Sequence, residues 1–206
     1  MSPNALPTTA AIVDFGDGGW VRHVPGWYAE HEAMIPVLLE TLPLRQERIT
    51  VFGRQYDTPR LVSWHGDPEC SYRYSGRRFT PAPWTAALDE LRERVDEAAG
   101  YRFNSVLVNV YRDGRDAMGA HRDDEPELGP TRDDVGIASL SLGARRRFLL
   151  EHEPSRRRLV WNLGAGDLLV MGGTTQRTSK HWVPRTNRAV GLRVNLTFRV
   201  VLPGHR

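Results

Sequence analysis

The sequence is poor in cysteine and lysine: among its 206 residues, Cys70 is the only cysteine and Lys180 the only lysine. One cysteine excludes an internal disulfide and fits a reducing compartment. No run of 18 uninterrupted apolar residues occurs, and the N-terminal residues lack the basic and apolar segments of a secretory signal. We therefore expect a soluble, cytoplasmic protein. The length suits one domain with a substantial core and is short for two.

The net charge of +3 is mild, and nearly all of the positive charge is arginine. A nucleic-acid-binding protein needs positive charge clustered on one surface, which the net charge does not reveal. Two local clusters, at residues 145–147 and 156–158, bracket a predicted hairpin. A solvated hairpin tip and a clamp for phosphate groups are both compatible with them.

Helical patterns are confined to the N-terminal half of the chain. Apolar residues at helical spacing predict a helix from Trp84 to Ala99, which Gly100 ends. Another helix is predicted between Trp27 and Leu42, beginning or bending at Pro36. Residues 1 to about 25 are predicted to form an irregular arm with one short strand near residues 12–15.

Strand patterns dominate the rest of the chain. A hairpin is predicted from residues 49–52 and 60–64, and short alternating runs follow after residue 100. Their spacing predicts a mainly β or α+β domain built as a sandwich or jelly roll, with residues 26–100 adding helices and hairpins to a jelly roll of residues 101–206. The runs lie at residues 105–111, 136–142, 147–151, 158–163, 167–171 and 192–201.

A His-x-Asp pair, His121 and Asp123, follows the first of these runs. Two residues apart on extended backbone, the imidazole and the carboxylate point to the same side and can bind one metal ion. His181, from a different strand, is the candidate third ligand. Two histidines and one carboxylate on one face of a metal leave positions open for Fe(II) oxygen chemistry. Taken alone, the pair also fits a solvated loop.

The last predicted strand alternates without a break. Arg193, Asn195, Thr197 and Arg199 face one way, and apolar residues face the other. A polar face of this kind fits the wet edge of a sheet. It also fits a pocket for a carboxylic acid, because a guanidinium group can bind a carboxylate through two parallel hydrogen bonds.

These segments together resemble the AlkB-type Fe(II)/2-oxoglutarate dioxygenases. The resemblance is carried by the segments NVY, HRDDE, SLSLGARRRF, GDLLVM and RVNLTFR and by the distal His181, and it extends from about Ile49 to Val201. The segments VFGR and YRYSG are closest to members that repair alkylated double-stranded DNA. The resemblance implies a double-stranded β-helix with its metal at the mouth and an N-terminal lid for substrate recognition.

The same resemblance implies roles for individual residues. His121, Asp123 and His181 match the iron ligands, which are also the catalytic centre. Arg193 matches the residue that pairs with the distal carboxylate of 2-oxoglutarate. The other residues assigned to this cosubstrate are Asn109 and Arg199, at the carboxylate nearer the metal, Tyr111, through its hydroxyl, and Asn195.

On the substrate side, the resemblance implies a flipped base that must leave the stack to reach the metal. Tyr74 matches the aromatic residue that stacks on the base, although the most similar members have Phe there. Glu125 matches the acid that reads the base edge, while the residues alone favour a solvated carboxylate. Val51, Phe52 and Gly53 match a finger that fills the vacated space, whereas strand alternation alone would bury one apolar residue of the pair.

The expected activity is therefore oxidative demethylation of N-alkylated bases, of the 1-methyladenine and 3-methylcytosine type, in DNA. The expected cofactor is Fe(II), with 2-oxoglutarate and O2 as cosubstrates and succinate, CO2 and formaldehyde as products. The expected partner is alkylated DNA, duplex as well as single-stranded, and the expected state is a monomer. Two alternatives stay open: the same chemistry on RNA or another methylated substrate, and a jelly-roll binding module without catalysis.

Overall fold

The computed structural model describes residues 10–51, 54–74, 77–129 and 134–202. The helices in these ranges are α1 (His31–Thr41), α2 (Ala86–Ala99) and α3 (Thr175–Thr178), and two 3-10 turns lie at Pro68–Cys70 and Pro126–Leu128. The N-terminal strands are β1 (Ala11–Asp14), β2 (Trp20–Val24), β3 (Arg45–Val51), β4 (Arg54–Gly66), β5 (Tyr72–Tyr74) and β6 (Arg77–Phe79). The remaining strands are β7 (Ser105–Tyr111), β8 (Met118–His121), β9 (Ile137–Gly143), β10 (Arg146–His152), β11 (Arg157–Leu163), β12 (Asp167–Gly172), β13 (Ser179–Val183) and β14 (Arg193–Arg199).

Two sheets face each other and build a jelly roll. The larger sheet has eight strands in the order β1-β2-β12-β9-β14-β7-β4-β3, and the smaller has four in the order β11-β10-β13-β8. Pairing within both sheets is antiparallel, and β5 and β6 form a separate hairpin. The crossovers bring distant strands side by side, so β8 and β13 become neighbours in the smaller sheet.

The core has two layers because the larger sheet buries both of its faces. One face packs against α1 and α2, through Leu38, Leu88 and Leu91 among others. The other face meets the smaller sheet, where the apolar cluster includes Tyr111, Phe148 and Leu150. A strand covered on both sides is expected to be apolar throughout. Polar side chains that point into the second layer therefore need a partner or a ligand.

The helix predicted from Trp84 to Ala99 is confirmed. The side chain of Thr85 caps its first turn by accepting a hydrogen bond from the N–H of Leu88, at 3.3 Å. Gly100 ends it with a left-handed backbone at φ 79°, which glycine adopts without strain. The other predicted helix forms as α1 and contains Pro36 within its span rather than beginning there.

The short strand predicted near residues 12–15 is present as β1, but the irregular arm predicted around it is wrong at residues 20–24. Beyond the short strand that was expected, Trp20–Val24 forms β2, which pairs with β1 on one side and with β12 on the other. Val21 and Val24 are buried against the two core layers. The alternation of this strand is short and flanked by glycines, so the pattern alone resembled a turn. Partners from β12, far along the chain, make it a strand.

The wet-edge interpretation of the last strand is also wrong. β14 lies in the middle of the larger sheet, between β9 and β7, and its residues 193–198 are buried. Val194, Leu196 and Phe198 belong to the helix-side core, as the alternation predicted. The polar face therefore lies inside the jelly roll. Among the described residues, no helix is both long and apolar enough to cross a bilayer.

Candidate metal and cosubstrate site

The structure brings His121, Asp123 and His181 together at one end of the smaller sheet. His121 is the last residue of β8, and its direct partner in the neighbouring strand β13 is His181. The two imidazole rings meet edge to face with their centroids 4.3 Å apart. One ligand atom from each of the three residues lies within 4.8 Å of the other two. This donor set, two imidazoles and one carboxylate, fits a divalent iron ion.

The electrostatics of the cluster keep the Asp123 carboxylate ionised. Burial by itself would raise its pKa, but the Arg199 guanidinium, helped by the two histidines, lowers the pKa below its ordinary value. Nη2 of Arg199 donates to Oδ1 of Asp123 at 2.7 Å. Oδ2 is buried and has no hydrogen-bond partner among the described residues. One oxygen is thus occupied by the guanidinium and the other is available to a metal.

His181 is buried and is held in its neutral form. Burial lowers the pKa of its imidazole to about 4, although the nearby carboxylate of Asp123 acts in the opposite direction. A neutral imidazole has a lone pair free to bind a metal. His121 is partly open to solvent, with 26% of its side chain exposed, so the cluster is buried on one side and accessible on the other.

A cavity of about 450 Å³, including its open mouth, adjoins the three residues. Polar and apolar side chains line it from both sheets: Leu107, Asn109, Tyr111, Met118, Ser139, Phe148, Met171, Trp182, Val183, Asn195, Thr197 and Arg199, with the three candidate ligands. Of the residues assigned to the cosubstrate, four lie in this lining.

Arg193, the fifth, lies just beyond the lining. It is 0% exposed, and the carbon at the centre of its guanidinium is 5.1 Å from the centre of the Tyr111 ring. One nitrogen, Nη2, donates to Oγ of Ser141 at 2.8 Å. Nε and Nη1 are buried without a hydrogen-bond partner among the described residues. A buried cation with unmet donors is costly, and an anion that enters past Tyr111 would supply the missing acceptors.

The amide of Asn109 faces the cavity in a defined orientation. Its Oδ1 accepts a hydrogen bond from Nε of Arg60 at 2.8 Å. An arginine nitrogen only donates, so the Nδ2 group of Asn109 is the one left for the cavity. Asn195, by contrast, already uses Nδ2, which donates to Oγ of Ser139 at 2.8 Å and to the carbonyl of Leu140 at 3.0 Å. A dicarboxylic acid therefore fits the donors of Asn109 and Arg193 better than those of Asn195.

The residues assigned to the flipped base are only partly described. Phe52 and Gly53 lie outside the described residues. Val51 and Tyr74 belong to β3 and β5, but their side chains also lie outside what the structure describes. Glu125 is exposed near the cluster, two residues after Asp123, as a solvated carboxylate would be. Surrounding protein nonetheless desolvates its carboxyl group and raises the pKa, against the opposing effect of Arg199.

The arginines of the two clusters differ in burial within the predicted hairpin, which forms as β10 and β11. Arg146 is buried and donates to the backbone carbonyls of Asp113, Asp116 and Pro184 at 2.7–2.8 Å. It is a structural residue and belongs to neither a solvated tip nor a phosphate clamp. Arg158 lies at the surface, where it donates to Glu151. The arginines at residues 147, 156 and 157 are exposed.

Several residues of the site are not indicated by sequence patterns. Arg60 lies on β4, and its partner Asn109 on the adjacent strand β7. Gln176, buried in α3, hydrogen-bonds to the backbone of Asp123. Met171 and Phe148 line the cavity, although their sequence pattern alone would assign them to the apolar core. Only the pairing of distant strands gives these side chains a shared site.

A jelly roll with two histidines and one carboxylate at its open end is typical of iron-dependent oxygenases, and comparison with protein families agrees. The profile of the 2OG-Fe(II) oxygenase superfamily matches residues 21–199. The chain belongs to this superfamily, and it is an oxygenase of the AlkB type. The predicted membership of the AlkB-type dioxygenases, the mainly β jelly-roll fold and the dioxygenase class are thereby confirmed.

Particular relatives are similar over most of the chain. The mouse protein "DNA oxidative demethylase ALKBH2" is 43% identical over 164 residues, covering 76% of this chain and 67% of the relative. The rat "Alpha-ketoglutarate-dependent dioxygenase alkB homolog 3" is 38% identical over 194 residues, covering 88% of this chain and 64% of the relative. The bovine and human ALKBH2 proteins are covered over 58% and 61% of their lengths, so the chain spans about two thirds or less of these relatives. Among solved structures, OsALKBH1 matches with a TM-score of 0.62 at 18% identity, over 92% of this chain and 100% of that one, a likeness of fold alone.

Proposed function

We propose that this chain removes alkyl groups oxidatively from N-methylated bases in DNA, with Fe(II) and 2-oxoglutarate. One observation carries the proposal. The two-histidine, one-carboxylate cluster opens onto a cavity, and beyond its lining lies the buried guanidinium of Arg193, whose Nε and Nη1 lack acceptors among the described residues. The relatives' names supply the substrate class, since two of the most similar are called DNA oxidative demethylases.

The residues present fit both implied groups. His121, His181 and the free Oδ2 of Asp123 would hold the iron. Arg193 would pair with the distal carboxylate of 2-oxoglutarate, and Nδ2 of Asn109 would donate to the carboxylate nearer the metal. When bound, iron and 2-oxoglutarate would let O2 act as the oxidant: one oxygen atom would end in succinate as 2-oxoglutarate loses CO2, and the other would hydroxylate the N-methyl group, which then leaves as formaldehyde.

The protein's own contribution is to orient these groups and to exclude water. Arg199 binds one oxygen of Asp123, which fixes the direction of the other. Apolar side chains from both sheets, Leu107, Met118, Phe148 and Val183, line the cavity and keep it partly dry. Charge-assisted hydrogen bonds to an acid are stronger in such surroundings than in water.

We further propose that the base is received between Tyr74 and His121, with Glu125 at its edge, and that duplex DNA is a substrate. Phe52, which follows β3 in the sequence, would fill the space that the base vacates. Wedge insertion offsets an unstacking cost of a few kcal/mol that a single strand mostly lacks. Monomeric state and cytoplasmic location stay predictions.

The deciding experiment is mass spectrometry of oligonucleotides that carry 1-methyladenine or 3-methylcytosine. Duplex DNA, single-stranded DNA and RNA of one sequence are incubated with enzyme, Fe(II), 2-oxoglutarate and ascorbate, and succinate is measured in parallel. We expect demethylation of both DNA forms and matching succinate. Succinate with demethylation of RNA alone would change the substrate class, and absence of succinate with every substrate would support a binding module.

Phe52→Ala tests the wedge in the same assay. Activity on duplex DNA should fall much more than activity on single strands, with little change in melting temperature. Equal losses on both substrates, or a large fall in melting temperature, would place Phe52 in the core.

A further inference from the structure

Asp123 lies on backbone without regular structure. Residues 122–125 follow β8 and precede a 3-10 turn, so no strand partner fixes the main chain at the candidate ligand. At the surface, the adjacent Arg122 pairs with Glu153, but both side chains are about 30% exposed. Ion pairs of this kind contribute little, roughly 0–1 kcal/mol. Something else must hold the backbone of Asp123 if its carboxylate is to keep one direction.

Gln176 makes that contact from inside the protein. Its side chain is 0% exposed, and its Oε1 accepts a hydrogen bond from the backbone N–H of Asp123 at 3.3 Å. Nε2 donates to the sulfur of Met171 at 3.5 Å. The orientation of the amide follows from this pairing, because the N–H of Asp123 needs an acceptor and a thioether sulfur only accepts.

The turn that carries Gln176 is firmly anchored. Oγ1 of its neighbour Thr175 donates a hydrogen bond to the carbonyl oxygen of Gly172 in β12, at 2.7 Å. The same oxygen accepts a hydrogen bond from the backbone N–H of Trp20 in β2, at 3.0 Å. His181 follows five residues after Gln176, on the strand that leaves this turn. The amide thus links the irregular segment that carries one candidate ligand to the base of the strand that carries another.

We propose that Gln176 is a positioning residue for the metal site: it fixes the backbone of Asp123 so that its carboxylate faces both histidines, with Nε2 of His121 3.6 Å from Oδ1 and Nε2 of His181 3.8 Å from Oδ2. The inference rests on the proposed function, since it assumes that the three residues bind iron. Arg199 restrains Oδ1 of the same carboxylate, so the backbone and one oxygen are both held before metal arrives. Outer contacts of this kind typically change metal affinity by roughly 10- to 100-fold.

The test is a Co(II) titration of the metal-free protein without 2-oxoglutarate or DNA, followed by visible absorbance. Gln176→Met keeps the length of the side chain and removes the acceptor, and we expect about a tenfold or greater loss of Co(II) affinity. Gln176→Asn withdraws the amide by one methylene and should show a similar loss, which provides a second variant if the first does not fold. Gln46→Met is the matched control: it makes the same substitution at an exposed glutamine outside the cavity lining, whose Nε2 donates to the carbonyl of Thr58 at 2.8 Å, and its Co(II) affinity should stay within about threefold of the parent.

The dependence of the demethylation rate on Fe(II) concentration distinguishes a positioning role from a general loss of structure. In demethylation assays, both Gln176 variants should need more Fe(II) for half-maximal rate, yet keep most of the parental rate at saturating Fe(II). Parental Co(II) affinity in the folded Gln176 variants, or an equal loss in Gln46→Met, would overturn the role of Gln176. A parent protein that binds no Co(II) would instead overturn the proposed function.

Discussion

Arg193 should stabilise the bound cosubstrate while contributing nothing to the stability of the protein without it. Its guanidinium is fully buried; Nη2 donates to Ser141, while Nε and Nη1 have no hydrogen-bond partner in the described chain. Taking an ion out of water costs several kcal/mol, which one neutral hydrogen bond of about 1 kcal/mol does not offset. We therefore expect Arg193→Met to leave the free energy of unfolding of the metal-free protein within about 1 kcal/mol of the parent, or to raise it.

The cost of Arg193→Met should appear in cosubstrate binding. A charge-assisted pair contributes roughly 1.5–3 kcal/mol, so affinity for 2-oxoglutarate should fall by about 10- to 100-fold. The assays are urea unfolding of the metal-free protein and the shift in melting temperature that 2-oxoglutarate causes in the presence of Mn(II). The shift should be large in the parent and small in the variant.

Arg146→Met is the matched control, because this arginine is also buried but donates to three backbone carbonyls. Its removal leaves buried acceptors unpaired, at roughly 1–3 kcal/mol each, so the variant should be destabilised by about 3 kcal/mol or more. The reasoning fails if Arg193→Met is destabilised as much as Arg146→Met. It fails equally if 2-oxoglutarate still raises the melting temperature of Arg193→Met by the parental amount.

Two further predictions concern the candidate ligands. Asp123→Ala should abolish demethylation, because it removes the only anionic ligand, while circular dichroism shows a folded protein; a parental rate with iron supplied would exclude the triad. His181 has a pKa of about 4 in the folded protein, below its ordinary value, so the unfolded chain binds a proton between pH 6.5 and 4 and the folded chain does not. Metal-free protein should therefore be most stable above pH 6.5 and lose up to about 3 kcal/mol from this residue as pH falls towards 4. His181→Asn should flatten this part of the pH dependence. The measurement is urea unfolding of both proteins at pH 7 and pH 5. An equal change in the free energy of unfolding of parent and variant between the two pH values would contradict the assignment.

Much of this site could be read from the sequence because it lies on local patterns. The alternation from Arg193 to Arg199 separates a core face from a polar face, and the structure has the same division. The two-residue spacing of His121 and Asp123 places both on one side of extended backbone. The helix α2 was also predictable, since its apolar spacing and its capping residues agree.

Local sequence patterns therefore specify the chemical groups of the site and the strands and helices that carry them. Which of these groups lie next to each other depends on the tertiary fold. The pairing of β8 with β13 places His121 beside His181. The position of β14 between β9 and β7 puts its polar face inside the jelly roll and not at a solvent-exposed sheet edge. The partners of Asp123 and Asn109, namely Gln176 and Arg60, follow from contacts between distant segments. Such contacts have no sequence period, because they depend on how sheets cross and not on the repeat of any one strand or helix.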